Sequence, residues 1–186
     1  ELPAPETLTD SNGGQLAMFA FGQGALTVTP LQIAAMMNAI AGDGTWYPPQ
    51  IVAGIIEQES LTMLEPFVSA DPVRVCDADT ARILRSMLID VVAEGIGRQA
   101  VPQAGGAGGK TGTAQTGQYT EAGEELLNYW FSGFWPAENP RYTITVLQDA
   151  VLEPEVSSAA IFAEVANNLL ALEGGAELQN QPRPGM

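Results

Sequence analysis

The chain has 186 residues, 46% of them hydrophobic, which is enough to bury the core of one domain. Seven basic against 22 acidic residues give a net charge of −15, and a surface of that sign repels phosphate backbones, which argues against nucleic-acid binding. The sequence has no histidine and one cysteine, Cys76, so the commonest general base, the commonest zinc ligand and an internal disulfide are all excluded.

The two ends of the chain differ in composition from the part between them. The chain begins at Glu1 rather than at a methionine, and it lacks the basic and apolar regions of a signal peptide. No apolar run reaches the roughly 18 to 20 residues that span a bilayer. We therefore expect a domain or fragment of a longer protein. Residues 1–14 are predicted to be an irregular lead-in, 15–174 the folded part, and 175–186 a polar, frayed tail.

Two helices and a strand are predicted in the first half of the chain. Thr29-Pro30 places a hydroxyl cap before a proline at the first helical position, and the helix to Ala41 is apolar nearly all round, which predicts that it is buried. β-Branched residues predict a strand within 50–57. Residues 61–75 favour no element.

The second helix is capped by Asp77 or Asp79 and ends at the glycines that follow residue 94. Its apolar residues recur at helical spacing and define one face toward the core. That expected core face comprises Ala81, Leu84, Met87, Leu88, Val91 and Val92, with Arg82, Arg85 and Asp90 on the opposite side.

The second half predicts three strands and a helix. After a loop at 98–109, the strands are 110–115, 129–135 and 142–148, separated by a polar turn at 116–127 and a tight loop at 136–140. A helix follows over 158–172. Three successive strands with helices on either side in the sequence predict an α+β domain, in which helices pack against an antiparallel sheet. The helix is expected to turn Ile161, Val165, Leu169 and Leu172 toward the core, and Trp130 and Trp135 are also predicted to be core residues.

Two motifs overlap at Lys110, the only lysine in the sequence. Residues 104–111 nearly match the phosphate-loop pattern G-x-x-x-x-G-K-[ST], with Ala104 in place of the first glycine. That loop requires a buried strand before it and a helix after it. Residues 98–104 are polar and broken by Pro102, and 112–120 have no helical periodicity, so the sequence disfavours a P-loop nucleotide-binding domain.

The second motif is Lys110-Thr111-Gly112, which suits the edge of a sheet. Lys110 supplies positive potential for a carboxylate, and the hydroxyls of Thr111 and Thr113 can donate hydrogen bonds to it. Gly112 lets a substrate backbone approach the strand, and the backbone N–H of Thr113 can serve as half of an oxyanion hole. Three residues alone are also compatible with a solvated lysine at the end of a strand.

Four landmark segments carry recognisable motifs: Phe21–Gln32, Gly95–Ala100, Gly109–Gln115 and 128–140. In the same order they resemble the patterns "GQG…TPLQ", "GTG-x-x-A", "GKTGTAQ" and "AWFVGY-x-P-x-NP" of class B penicillin-binding proteins. They cover about residues 15–172 and correspond to the C-terminal half of a D,D-transpeptidase domain, which has the β-lactamase/transpeptidase-like fold. The resemblance implies that Lys110, Thr111, Gly112, Thr113 and Gln115 bind substrate.

The resemblance implies a serine enzyme that cross-links peptidoglycan. Its nucleophile would attack a D-Ala-D-Ala stem peptide and form an acyl-enzyme, and β-lactams would be trapped at the same step. Such a protein is anchored on the outer face of the bacterial cytoplasmic membrane, works with cell-wall synthesis proteins in division or elongation, and needs no metal or cofactor.

The family's other two motifs do not occur in this chain. S-x-x-K needs a serine three residues before a lysine, and Ala107 occupies that position before Lys110. Ser11-Asn12-Gly13 has its asparagine one position too early for S-x-N. We therefore expect no acylation by this chain alone, and two hypotheses stay open: a fragment of an enzyme, or a non-catalytic interaction or β-lactam-sensing module. A sheet with an unpaired edge also predicts self-association.

Overall fold

The computed structural model describes residues 14, 17–18, 21–23 and 27–179. The lead-in predicted for 1–14 lies outside this part of the chain, apart from Gly14, which is helical, as are Ala17 and Met18. Residues 180–186 of the predicted tail also lie outside it. The division into lead-in, folded part and tail stays a prediction.

Helix α1, Pro30–Ala41, begins and ends as predicted. The Thr29 hydroxyl accepts a hydrogen bond from the Gln32 backbone N–H at 3.2 Å, and the Gln32 side chain accepts one from the Thr29 N–H at 2.8 Å, which satisfies two otherwise unpaired donors. The prediction that the helix is buried all round is wrong. Met37 is 3% exposed, but Met36 is 48% exposed, because one side of the helix faces an open cleft.

Four short strands form two small antiparallel pairs between the first two helices. β1, Thr45–Trp46, pairs with β4, Val73–Arg74, and β2, Gly54–Ile56, pairs with β3, Met63–Pro66. The strand predicted over 50–57 is thus limited to the three residues that have a partner. β3 and β4 lie in the stretch for which the sequence favoured no element.

Helix α2, Ala78–Ala93, is capped by Asp77, one of the two predicted candidates, whose carboxylate accepts a hydrogen bond from the Thr80 backbone N–H at 2.7 Å. Its predicted faces are partly wrong. Ala81 and Val92 are buried and Leu88 packs on the core, but Leu84 and Met87 are exposed. Arg85, expected on the solvent side, is partly buried and donates to the Ala41 carbonyl at 3.1 Å. The buried face of α2 therefore includes fewer residues than the apolar pattern of the sequence predicted.

The main sheet is an antiparallel meander in the order β5-β6-β7. Its strands are β5, Gly108–Tyr119, β6, Glu125–Trp135, and β7, Tyr142–Val151. All three are longer than predicted, and most of the polar turn expected at 116–127 belongs to the β5–β6 hairpin. Cross-strand pairing extends the hairpin in spite of its polar residues, with a register shift between Gln115 and Gln118. The loop predicted at 98–109 contains a short 3-10 helix, Arg98–Ala100.

Helix α3, Ser158–Gln179, covers one face of this sheet and continues beyond the predicted end at residue 172. Its Phe162 ring packs edge-to-face on Phe131, with centroids 4.9 Å apart, and both are fully buried. The predicted core face is partly wrong: Leu169 packs on the core as predicted and Ile161 is half-buried, but Val165 and Leu172 are exposed. The residues that contact the core are Ala159, Phe162, Ala163, Ala166, Leu169 and Leu170.

Helix α1 covers the opposite face of the sheet. Phe134 lies three residues from Phe131 on β6, and side chains at that spacing point to opposite faces. Phe134 is fully buried in a second cluster with Met37 and Ala41. An antiparallel sheet with helices on both faces confirms the predicted α+β class. No helix in the described part of the chain is long and apolar enough to cross a membrane.

Candidate functional site

Two adjacent glycines hold the start of β5 close to its neighbour β6. A Cβ atom on Gly109 would lie 2.6 Å from the Phe131 ring, and one on Gly108 would overlap the Phe134 ring. Those rings are fully buried on opposite faces of the sheet and have no room to move. The glycines therefore set the position of the Lys110 to Thr113 segment that follows.

The β5 backbone presents alternate residues to its open edge. The Thr113 carbonyl accepts a hydrogen bond from Gln23 Nε2 at 3.1 Å, and the Thr111 carbonyl accepts one from Lys110 Nζ at 3.1 Å. A Cβ on Gly133 of β6 would lie 2.5 Å from the Gly108 carbonyl oxygen, so that carbonyl faces β6, and by alternation along β5 those of Thr111 and Thr113 face away from it. In an antiparallel strand the N–H and C=O of one residue point to the same side. The Thr113 N–H, predicted to serve an oxyanion hole, therefore faces the open edge as well.

A cleft of about 590 Å³ lies along this edge, between β5 and α1. Lys110 and Gly112 line it together with Ser132 and Trp130, their cross-strand partners on β6. Trp130, predicted to be a core residue, is only partly buried and forms part of the wall, whereas Trp135 is buried as predicted. The cleft is therefore bounded by a strand edge on one side and by the open side of a helix on the other.

Gly112 differs from the two glycines before it. A Cβ at Gly112 would meet the Trp130 Cβ at 3.4 Å, which is an ordinary van der Waals contact. Packing within the described structure does not require glycine there. The missing side chain instead leaves free space beside the strand edge, where a ligand backbone can approach.

Lys110 is the principal positive charge of the cleft. Its Nζ donates to the carbonyl and to the hydroxyl of Thr111, at 3.1 and 3.2 Å. No carboxylate of residues 27–174 forms a salt bridge with it, whereas Arg74, Arg82 and Arg141 are each paired with an acidic side chain. The ammonium group is exposed and its charge is available to an anionic ligand.

Gln115, the fifth predicted substrate-binding residue, lies at the far end of the same cleft. Its Nε2 donates to the Glu125 carboxylate at 3.1 Å, across the β5–β6 hairpin and next to the register shift. The structure thus brings all five predicted residues to one strand edge, with Gln115 engaged in a contact of its own.

A smaller hollow of about 140 Å³ lies on the other side of the same edge. It is floored by Tyr129 and Ser158, and the exposed Ile96 forms its rim. Thr111, Gly112 and Thr113 line both hollows. A ligand lying on this strand edge therefore has space for substituents on either side of it.

The phosphate-loop interpretation fails on the geometry around Lys110. That motif needs a helix directly after the lysine, and Lys110 instead lies near the start of the long strand β5. Within the described part of the chain there is also no group of three or more His, Cys, Asp or Glu side chains arranged to hold a metal ion.

Sequence reasoning missed Gln23 and Ser132 as cleft residues. Gln23 was part of a recognised landmark, but nothing in its local sequence indicated contact with a strand ninety positions away. Ser132 is buried, and its hydroxyl is 2.7 Å from that of Thr145. A serine in the otherwise apolar run of β6 was the available signal.

Comparison with known proteins assigns the chain to a family. Residues 5–171 match the model of the penicillin-binding protein transpeptidase domain. Penicillin-binding protein PbpB of Mycolicibacterium smegmatis is 36% identical over 175 residues, which are 86% of this chain and 26% of that protein. Stage V sporulation protein D of Bacillus subtilis is 32% identical over 157 residues, 83% of this chain and 24% of the relative. The chain thus spans about a quarter of the length of these curated relatives.

Solved structures agree with the sequence comparison. The crystal structure of apo penicillin-binding protein 3 from Mycobacterium tuberculosis superposes with a TM-score of 0.77 at 32% identity, over 93% of this chain and 41% of that one. The ampicillin complex of the same protein gives a TM-score of 0.74 at 33% identity, over 93% and 40% of the two chains. The chain therefore belongs to the penicillin-binding protein transpeptidase domain family.

Proposed function

We propose that this chain forms the substrate-recognition side of a serine D,D-transpeptidase that cross-links peptidoglycan and is acylated by β-lactams. The open edge of β5 carries the proposal, because Lys110 supplies a positive charge that no carboxylate of residues 27–174 pairs with, beside two outward-facing backbone positions, Thr111 and Thr113. An extended peptide can pair with these backbone groups, and its C-terminal carboxylate is attracted to Lys110.

Within this proposal each residue of the edge has a role. Lys110 and the Thr111 and Thr113 hydroxyls bind the carboxylate of a D-Ala-D-Ala stem peptide or a β-lactam. Gly112 admits the ligand backbone. The Thr113 N–H donates to the carbonyl oxygen on which negative charge develops during acyl transfer, and such a donor stabilises the transition state more than the ground state. Gln115 borders the far end of the ligand.

The serine nucleophile and its lysine base are proposed to come from a segment outside these 186 residues. Lys110 is the only lysine in the sequence and has no serine at the S-x-x-K spacing. The relatives are about four times as long as the matched region, which supports a longer parent protein. That protein is proposed to be anchored on the outer face of the bacterial cytoplasmic membrane and to act with other cell-wall synthesis proteins.

Labelling with a fluorescent penicillin tests the proposal. We expect no covalent label on the 186-residue chain and a single label on the longer protein that contains it. A labelled 186-residue chain would show that a nucleophile lies within it. A longer protein that carries an S-x-x-K segment but takes no label would refute the transpeptidase assignment.

The second candidate is a non-catalytic interaction or β-lactam-sensing module. The observation in its favour is that the cleft is formed while the sequence contains no S-x-x-K motif. The gene sequence upstream of Glu1 distinguishes the two candidates. An S-x-x-K segment there supports the enzyme, and a natural start without one supports the module.

A further inference from the structure

The side chain of Gln23 occupies the open edge of β5. Its Nε2 donates to the Thr113 carbonyl at 3.1 Å, and its own backbone N–H donates to the Met18 carbonyl at 2.9 Å. Gln23 is half-buried and lines the cleft beside Lys110 and Gly112. A primary amide is thus held on the same strand edge that the proposed function assigns to the ligand.

The Thr113 carbonyl is the acceptor that an added strand would use. When an extended peptide joins a sheet edge, its N–H groups donate to the outward-facing carbonyls of the edge strand. The N–H of the Gln23 amide has the same chemistry as a peptide N–H and fills this position. A ligand amide N–H that reaches Thr113 also approaches from the side away from β6, so it competes with Gln23 Nε2 for the space beside this carbonyl.

We propose that Gln23 is a specificity-determining residue that competes with the ligand for the Thr113 carbonyl. Gln23 satisfies this acceptor while the cleft is empty and lowers the affinity for every ligand that donates an amide N–H to it. Ligands without such an N–H leave the Gln23 contact in place. This inference rests on the proposed function, because it concerns how that site selects among its ligands.

A merely structural role for Gln23 makes a different prediction. If the hydrogen bond only anchored the segment around residue 23, its removal would loosen the cleft wall and affect all ligands alike. If Gln23 competes with the ligand, its removal should affect only ligands that donate an amide N–H to the Thr113 carbonyl. The side chain of ampicillin carries an amide N–H next to the β-lactam ring, and imipenem carries a hydroxyethyl group in its place.

The test compares acylation rate constants of the longer protein with these two compounds. Gln23→Ala removes the amide, and Gln23→Leu removes it while keeping a side chain of similar size. Because a hydrogen bond between neutral groups changes an equilibrium by a modest factor, we expect both variants to react roughly two- to tenfold faster with ampicillin. The rate with imipenem should be unchanged. Gln58→Ala, at an exposed turn residue between β2 and β3, is the matched control and should leave both rates unchanged.

The other outcomes overturn the inference. Ampicillin rates that stay the same or fall in both Gln23 variants would show that Gln23 does not compete with this ligand. Equal changes with ampicillin and imipenem would indicate a structural role. If the unmodified longer protein reacts with neither compound, the proposed function fails and this inference falls with it. Normal acylation with unresponsive Gln23 variants would remove this inference alone.

Discussion

At the scale of single residues, the glycines of the Gly108 to Gly112 stretch look alike in sequence and serve different purposes. Gly108 and Gly109 lie under fully buried aromatic rings that leave no space for a Cβ. A Cβ on Gly112 would lie 3.4 Å from the Trp130 Cβ, an ordinary contact, and Gly112 lines the cleft. The first two are required by packing, and the third leaves room for a ligand.

This difference predicts opposite effects for two alanine substitutions. Gly109→Ala forces the strand away from Phe131 and should lower the free energy of unfolding by about 1–3 kcal/mol, as overpacking does. Gly112→Ala should change it by no more than about 0.5 kcal/mol. Chemical denaturation of the 186-residue chain measures both. Acylation of the longer protein should slow in Gly112→Ala, and equal destabilisation by the two changes would contradict the distinction.

Lys110 allows a second prediction at this scale. Lys110→Ala removes the exposed positive charge of the cleft, so binding of ligands with a carboxylate should weaken. Because hydrogen bonds to charged groups contribute more than neutral ones, the acylation rate constant of the longer protein with ampicillin should fall about tenfold to a hundredfold. Lys110→Arg keeps the charge and should recover part of the loss. An unchanged rate in Lys110→Ala would remove Lys110 from the site.

At the scale of secondary-structure elements, capping residues were predictable and buried faces were predictable only in part. Thr29 and Asp77 act on backbone N–H groups within three residues, so sequence alone identified both helix starts. Which side of a helix is buried depends on what packs against it. Leu84 and Met87 of α2 belong to its apolar pattern, yet they are 38% and 56% exposed.

The Asp77 cap predicts a pH dependence of stability. The hydrogen bond from the Thr80 N–H lowers the pKa of the Asp77 carboxyl below its usual value of about 3.9. The stabilisation that the ionised Asp77 carboxylate gives the folded state is therefore complete above about pH 3.9, the usual pKa. It is lost as the pH falls through the lower pKa that Asp77 has in the folded state. Asp77→Asn keeps an acceptor without the charge, so its difference from the unmodified chain should shrink between about pH 5 and pH 2.

Urea denaturation across that pH range measures the Asp77 effect. Asp71→Asn, at an exposed loop position, removes the same negative charge without affecting a helix cap and controls for the net charge. A constant difference between Asp77→Asn and the unmodified chain at all pH values would contradict the prediction.

Helix α3 provides a stability test at the same scale. Phe162→Ala deletes a fully buried ring that packs on Phe131, and it should lower the free energy of unfolding by about 3–5 kcal/mol. Leu172→Ala lies on the same helix at a side chain that is 70% exposed, so a change within about 0.5 kcal/mol is expected. Thermal or chemical unfolding of the two variants checks the observed buried face. A loss of stability in Leu172→Ala well above about 0.5 kcal/mol would instead support the face predicted from the sequence, on which Leu172 points toward the core.

At the scale of the whole molecule, the three-stranded sheet has helices on both faces and no strand beyond β5 or β7 in the described part of the chain. Unpaired strand edges favour pairing with another chain. The net charge of −15 opposes that pairing through repulsion between copies. Association should therefore depend on ionic strength more than on the sequence of either edge.

Light scattering over a range of salt concentrations tests this balance. The Debye length falls from about 10 Å at 0.1 M to about 3 Å at 1 M, so added salt should shift the 186-residue chain from monomer toward dimer. Dilution at high salt should reverse the shift. A monomer at every salt and protein concentration would rule out self-association through the sheet edges.

The sequence by itself determined the elements whose causes are local or are carried by a motif. These are the two capped helix starts, the α+β class and the strand that holds Lys110 to Thr113. It did not determine the length of the β5–β6 hairpin, because the segment after Gln115 has no strand pattern and continues as strand through the pairing of Gln118 and Tyr119 with β6. Only the tertiary structure decided that Thr111 and Thr113 face the open edge, that Trp130 is a wall of the cleft, and that Gln23 meets the Thr113 carbonyl. These features depend on contacts between residues far apart in the chain, which no local pattern encodes.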